Sequence, residues 1–157
     1  MTTKRWRIAV GGDIAGMGYK DMIRRDLESD ERVAAVIDVG VSDDTAKSTR
    51  YPSVAHEAAE LVAAGEADRA ILICGTGIGM SMVANRFRNV RAALCSDPFS
   101  ARLSRQHNDA NILVLGGRML GETMALETID AWLNTGFDGG RHQKRLEMFN
   151  RSGQESS

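Results

Sequence analysis

Four apolar residues, Ala70-Ile71-Leu72-Ile73, run into Cys74 and then into Gly75-Thr76-Gly77-Ile78-Gly79, after which Met80-Ser81-Met82-Val83-Ala84-Asn85 takes up a helical spacing. A buried strand that breaks into a glycine-rich turn and continues as a helix has few architectures open to it. Such a turn aims backbone N–H groups at one point, in the positive field of the helix N-terminus. It forms a cradle for an anion, here with a thiol at its rim. The pairing points to chemistry on a charge that develops during a reaction as well as to binding of a ready-made phosphate.

The rest of the chain repeats the alternation. Apolar β-type runs occur at Arg7–Val10, Val33–Val39, Ala70–Ile73, Val90–Cys95 and Asn111–Leu115. Between them Gly18–Ser29, Ser53–Ala64, Gly79–Phe87, Asp97–Gln106 and Gly121–Asn134 read as helices, and a last helix begins in Gly139-Gly140-Arg141. Near-continuous apolar strands alternating with helices predict an α/β fold: a five-stranded parallel sheet covered on both faces, with right-handed crossovers. Strand order is not readable from the pattern. Its consequence is, because ligands of open α/β sheets sit beyond the carboxyl ends of the strands. That edge collects Gly11-Gly12-Asp13, the Cys74 loop, Cys95-Ser96-Asp97 and Gly116-Gly117-Arg118. Residues 1–150 read as a single domain and 151–157 as a polar tail.

Composition narrows the function. A formal net charge of −1 gives no electrostatic case for nucleic acid or an anionic membrane, and no run is long enough to span a bilayer. The start of the chain leads straight into a strand pattern rather than a signal sequence. Two cysteines, Cys74 and Cys95, argue against a disulfide framework and for a reducing cytoplasm. Without short ligand spacings among cysteines and histidines, a zinc site is not expected.

Several residues carry competing readings. Cys74 is either a small buried hydrophobe or a base or nucleophile favoured by adjacent amides, and the glycine context favours the second. Gly75, Gly77 and Gly79 make a tight turn or an oxyanion nest, and their alternation favours the nest. No Gly-Lys-Ser/Thr follows, so the loop is not a Walker A turn, and it fits a dinucleotide fingerprint poorly. Asp13 either caps a helix or binds sugar hydroxyls. His107, ahead of Asn108, either favours a negative helix end or acts as a general acid/base. Singly, Arg118, Arg141 and Arg145 look like surface cations. Spaced four apart, Arg141 and Arg145 share a helical face and could clamp a phosphate. His142, between them, is expected to face solvent, and His56 and Cys95 take structural readings.

Three motifs then converge. Ile71-Leu72-Ile73-Cys74-Gly75-Thr76-Gly77-Ile78-Gly79, Ser104-Arg105-Gln106-His107-Asn108-Asp109-Ala110-Asn111 and Gly139-Gly140-Arg141-His142-Gln143-Lys144-Arg145 resemble the ribose-5-phosphate isomerase B family, which also holds the galactose-6-phosphate isomerase subunits. The resemblance runs from Ile8 to about Phe149. It implies a three-layer Rossmann-like domain with a C-terminal helix, acting without metal or cofactor as an aldose–ketose isomerase of a phosphorylated sugar. It also implies a homodimer or dimer of dimers with the active site at the interface. By the same resemblance Cys74 is the base between C1 and C2, Thr76 moves protons between the enediolate oxygens, and the amides of Gly75, Gly77 and Gly79 hold its charge. Family members that use a glutamate place it further along this loop, where this chain has Ile78-Gly79-Met80-Ser81 and no carboxylate. His107 resembles the ring opener; Asp13, Tyr51 and Asn108 match residues that hold the sugar; Arg118, Arg141 and Arg145 match the phosphate clamp.

The substrate stays open between ribose 5-phosphate and a tetrulose 4-phosphate or hexose 6-phosphate, and a non-catalytic phospho-sugar-binding subunit is the rival from another class. The coexistence of Cys74, Thr76 and His107 favours the enzyme. A tetrose 4-phosphate has O4 blocked and cannot close a furanose, so a ring opener tilts the choice to longer sugars. One departure pulls the other way: the family's first loop reads Asp-His-Ala-Gly, its histidine helping to bind phosphate, and here it is Asp13-Ile14-Ala15-Gly16. If Ile14 sets selectivity, Ile14→His raises kcat/KM for ribose 5-phosphate relative to four- and six-carbon sugar phosphates. Unchanged ratios across such a panel would remove Ile14 from the account.

Overall fold

The computed structural model describes residues 3–13, 17–40 and 51–149. Ile14 and the tail expected over 151–157 lie outside the described residues. The elements run β1 (Trp6–Gly12), α1 (Met17–Glu28), β2 (Val33–Asp38), α2 (Tyr51–Ala63), β3 (Arg69–Cys74), α3 (Ile78–Ala84), β4 (Ala92–Leu94), α4 (Pro98–Asn108), β5 (Ile112–Gly116), α5 (Glu122–Leu133) and α6 (Arg141–Phe149). The five strands form one parallel sheet in the order β2-β1-β3-β5-β4.

The continuous apolar strands are explained by burial on both faces. Successive side chains of a strand point to opposite sides. Ile8, Val10, Ile71, Ile73, Leu113 and Leu115 join Ile23 and Leu27 of α1, Ala101 of α4 and Ile129 and Trp132 of α5 in one core cluster. Ala9, Leu72, Ile112 and Val114 join Val54, Ala55, Ala58 and Ala59 of α2 and Met80 and Ala84 of α3 in the other. Helices α1, α4 and α5 therefore cover one face, α2 and α3 the opposite face, which makes the three expected layers. No described helix is long and apolar enough to cross a membrane.

The chain leaves β1 toward β2 on one side and returns to place β3 on the other. This reversal opens a crevice beyond the carboxyl ends of β1 and β3. The register pairs Gly12 with Ile73, so Asp13 and Cys74 leave the sheet side by side. On the other flank of β3, Cys74 is paired with Gly116.

Three elements differ from the sequence reading for identifiable reasons. The strand expected over Val90–Cys95 shrinks to Ala92–Leu94, an edge strand paired only with β5. Asn85 ends α3 ahead of the expected Phe87, because its amide brackets Ala92 instead, donating to Ala92 O at 2.9 Å and accepting from Ala92 N at 2.8 Å. At α4 the helix begins one residue late, since Asp97 is the N-cap and accepts from Ser100 N at 2.7 Å.

Candidate active site at two ends of the sheet

Cys74 is buried at the last position of β3, and its Sγ accepts the Gly77 N–H at 3.2 Å. That bond requires the chain to double back within three residues, which Gly77 achieves with φ 80°. A Cβ on Gly77 would stand 2.5 Å from Leu94 Cδ1, so the position admits no side chain without movement. The amide of Gly77 is thereby committed to the sulfur, and is not one of a free row of donors as the glycine alternation alone implies. Thr76 is exposed at the tip of the turn, its Oγ1 accepting from Ile78 N at 3.3 Å.

The neighbouring turn is tied to this loop through the main chain. Gly117 N donates to Cys74 O at 2.7 Å and Arg118 N to Gly75 O at 3.0 Å. Arg118 is held over the loop as a result: a Cβ on Gly75 would meet its Cδ and Nε at 3.5 Å. From the other side Tyr51, the first residue of α2, lies against Gly79, where an added Cβ would come within 2.5 Å of the ring. A side chain at Gly79 would have to displace the tyrosine ring. Asp13, Tyr51, Cys74, Thr76 and Arg118 gather at the carboxyl edge.

His107, Asn108, Arg141 and Arg145 do not join them. Helix α4 starts at the carboxyl edge after β4 and ends where β5 begins. Its 11 residues span about 16 Å, so its last turn stands at the amino edge of the sheet. There it is pinned by Arg105, whose Nη1 donates to Asp109 Oδ1 at 2.9 Å and to Ala110 O at 2.7 Å, and whose Nε donates to Thr135 O at 3.3 Å. The following segment is tied to the same turn by Asp138 N donating to Gln106 O at 3.1 Å. Gly139 and Gly140, at φ 66° and 56°, then reverse the chain, so α6 starts only at Arg141.

On α6 the buried residues are His142 and Leu146, one turn apart, while Arg141 and Arg145 are exposed. This corrects the expectation that His142 faces solvent. With both arginines turned outward, the adjacent stripe must face inward. The His142 ring lies on that of His107, centroids 4.4 Å apart and planes 13° from parallel. Burial first, then His107, Arg141 and Arg145, holds the His142 imidazole below its ordinary value, with Asp138 pulling the other way. Ligand-capable atoms of His107, Asp138 and His142 lie within 4.8 Å of one another, a grouping that no spacing in the sequence signals. The ring planes being nearly parallel, the in-plane lone pairs of the two histidines do not meet at one point.

His56 and Cys95 keep their structural readings. His56 is exposed, edge-on to Phe87 at 4.8 Å. Cys95 is buried, and that burial pushes its thiol up against the hydrogen bonds of Ser100 and Ser104.

In an open parallel α/β sheet ligands sit beyond the carboxyl ends of the strands, and the Cys74 thiol and its glycine turn stand at that edge. The sequence model of the ribose/galactose isomerase family matches residues 8–149, and the chain belongs to that family. It is 48% identical over 141 residues to ribose-5-phosphate isomerase B of Escherichia coli, covering 90% of this chain and 92% of that protein. It is equally 48% identical, over 134 residues, to D-erythrulose-4-phosphate isomerase 2 of Mycolicibacterium smegmatis, covering 84% of this chain and 86% of that one. Among solved structures, ribose-5-phosphate isomerase B of Mycoplasma genitalium with bound ribulose 5-phosphate superposes with a TM-score of 0.89 at 33% identity, covering 98% of this chain and all of that one.

The depressed His142 predicts an acid response. Below the ordinary histidine value of 6.5 the unfolded chain binds a proton that folded His142 resists, so stability falls as pH drops through that value toward the folded one. Melting temperatures compared at about pH 7.5 and about pH 5.5 should fall less for His142→Phe than for the wild type. Equal falls would show that His142 is not desolvated.

Proposed function

We propose that this chain isomerises a phosphorylated sugar between aldose and ketose, with ribose 5-phosphate or a close relative as substrate. The observation that carries the reading is Cys74: a buried thiol at the end of a central strand, held in a glycine turn with Thr76, Tyr51, Asp13 and Arg118 around it. In the open-chain aldose, Cys74 takes the proton from C2. The electron pair moves into a C1–C2 double bond and the carbonyl electrons onto O1. Thr76 passes the O2 proton to O1, and Cys74, its proton exchanging with solvent while the enediolate lasts, protonates C1 and leaves a ketone at C2. The charge that develops on oxygen is met by fixed donors of the turn, which is where electrostatic preorganisation acts. Asp13 and Tyr51 hold hydroxyls.

The remaining residues come from a second copy of the chain. His107 and Asn108 stand at the opposite edge of the sheet from Cys74, and Arg141 and Arg145 are exposed on the helix docked there. In a homodimer that sets the amino edge of one copy against the carboxyl edge of the other, His107 opens the sugar ring, Asn108 holds a hydroxyl, and Arg141 and Arg145 join Arg118 on the phosphate. The phosphate end then has three guanidinium groups, and the glycine turn is left for the enediolate. A tetrulose 4-phosphate is the second reading, favoured by the 48% identity to the mycobacterial erythrulose-phosphate isomerase. Two free, buried cysteines support a reducing, cytoplasmic setting.

Solvent-deuterium exchange into four-, five- and six-carbon sugar phosphates tests the reaction. The wild type should incorporate deuterium during turnover, and Cys74→Ala should lower kcat by about 10³-fold while keeping the wild-type melting curve. Neither interconversion nor incorporation with any sugar phosphate would leave a binding subunit. Near-wild-type turnover by Cys74→Ala would remove Cys74 as the base.

A further inference from the structure

Helix α6 has nine residues, and of these only His142 and Leu146 are buried. A leucine at an inward position needs no explanation. A buried imidazole does, because desolvation costs more for it than for an aliphatic side chain, and the depressed His142 records that cost. What it faces is His107, at 4.4 Å between centroids and 13° between planes.

His107 sits in the last turn of α4, half-buried. The outer torsion of a histidine is broad, so a ring at a helix end sweeps a wide arc unless something flat restrains it. A parallel ring supplies that restraint, and the backbone fixes both partners. The Asp138 N–H to Gln106 O bond joins the segment before α6 to the last turn of α4, and Arg105 binds that turn to Thr135 O. The left-handed Gly139 and Gly140 then set the direction from which α6 approaches. The stack is a product of main-chain geometry.

We propose that His142 is the positioning residue for His107, its ring fixing the plane in which His107 presents a proton to the sugar ring. The inference rests on His107 acting as ring opener. In that step an N–H of His107 gives its proton to the furanose oxygen O4 as the C1–O4 bond breaks, O1 releases its proton to water, and the C1 carbonyl forms. Proton transfer of this kind requires hydrogen-bond reach to one atom, and displacement by about 1 Å costs up to about 100-fold in rate. In this role His142 acts through His107 rather than on the sugar, and Leu146, buried one turn on, docks α6 beside it.

The test separates ring-forming from ring-free substrates. Ribose 5-phosphate closes a furanose through O4, whereas erythrulose 4-phosphate carries its phosphate there and cannot. His142→Ala should lower kcat with ribose 5-phosphate by roughly 10- to 100-fold and change turnover of erythrulose 4-phosphate by less than about twofold. His142→Phe keeps a flat ring and should restore most of the loss, whereas His142→Asn keeps a polar group without a ring and should not. Equal losses on both sugars would show a general structural effect and overturn the proposal. So would an undiminished kcat with ribose 5-phosphate, or Asn rescuing as well as Phe. With a wild type that turns over only ribose 5-phosphate, the Phe and Asn variants decide alone. A wild type that does not turn over ribose 5-phosphate has no such ring to open and would overturn this role. Inertness on four- and six-carbon sugar phosphates as well would overturn the isomerase reading, whereas an active wild type with an indifferent His142 would overturn only this role.

Discussion

Two main-chain hydrogen bonds between the ends of neighbouring strands hold the chemical half of this molecule together. Gly117 N–H to Cys74 O and Arg118 N–H to Gly75 O lock the turn after β5 onto the loop after β3. The loop that carries Cys74 and the turn that carries Arg118 depend on that lock. It fixes where Cys74 ends its strand, leaves the Gly77 amide to meet the sulfur, and lays Arg118 over Gly75. Because the donors are backbone groups, side-chain substitution cannot easily undo them. The Cys74 thiol and the Arg118 guanidinium are therefore set by the sheet rather than by loop packing.

The same sheet imposes the opposite constraint on the other half. In a parallel α/β unit, the residues after a strand stand at the carboxyl edge and those ending the next helix at the amino edge. His107 and Asn108 end α4, and α6 docks onto that end through His142 and Leu146, so their distance from Cys74 is a property of the topology. No side-chain motion within one chain carries a group from one end to the other of an 11-residue helix about 16 Å long. Either these residues have no part in the chemistry of Cys74, or a second copy brings them to it.

Much of this was legible in the sequence. The strand pattern gave the parallel sheet and its functional edge, since doubly buried strands must be apolar throughout, as Ile71, Leu72 and Ile73 are. The glycine alternation marked a turn that does reject a side chain at Gly77. Strand order was not legible, because it depends on which helix covers which face. The inward turn of His142 was not legible either: helical spacing separates it from Arg141 and Arg145 but does not say which stripe the body of the protein covers. Nor could the sequence foretell that Gly77 spends its amide on Cys74, which follows from one positive φ. The resemblance carried residue roles that geometry then sorted into two groups, and that sorting is what a linear motif cannot convey.

The central claim, that one site is built from two copies of the chain, is open to direct measurement by mixing two disabled chains. Cys74→Ala alone and the double variant Arg141→Ala, Arg145→Ala alone should each be nearly inactive. Refolded together in equal amounts, half the dimers pair one of each and hold one intact site of two, so about a quarter of wild-type activity should return. A mixture no more active than its components would contradict the account and confine the site to a single chain.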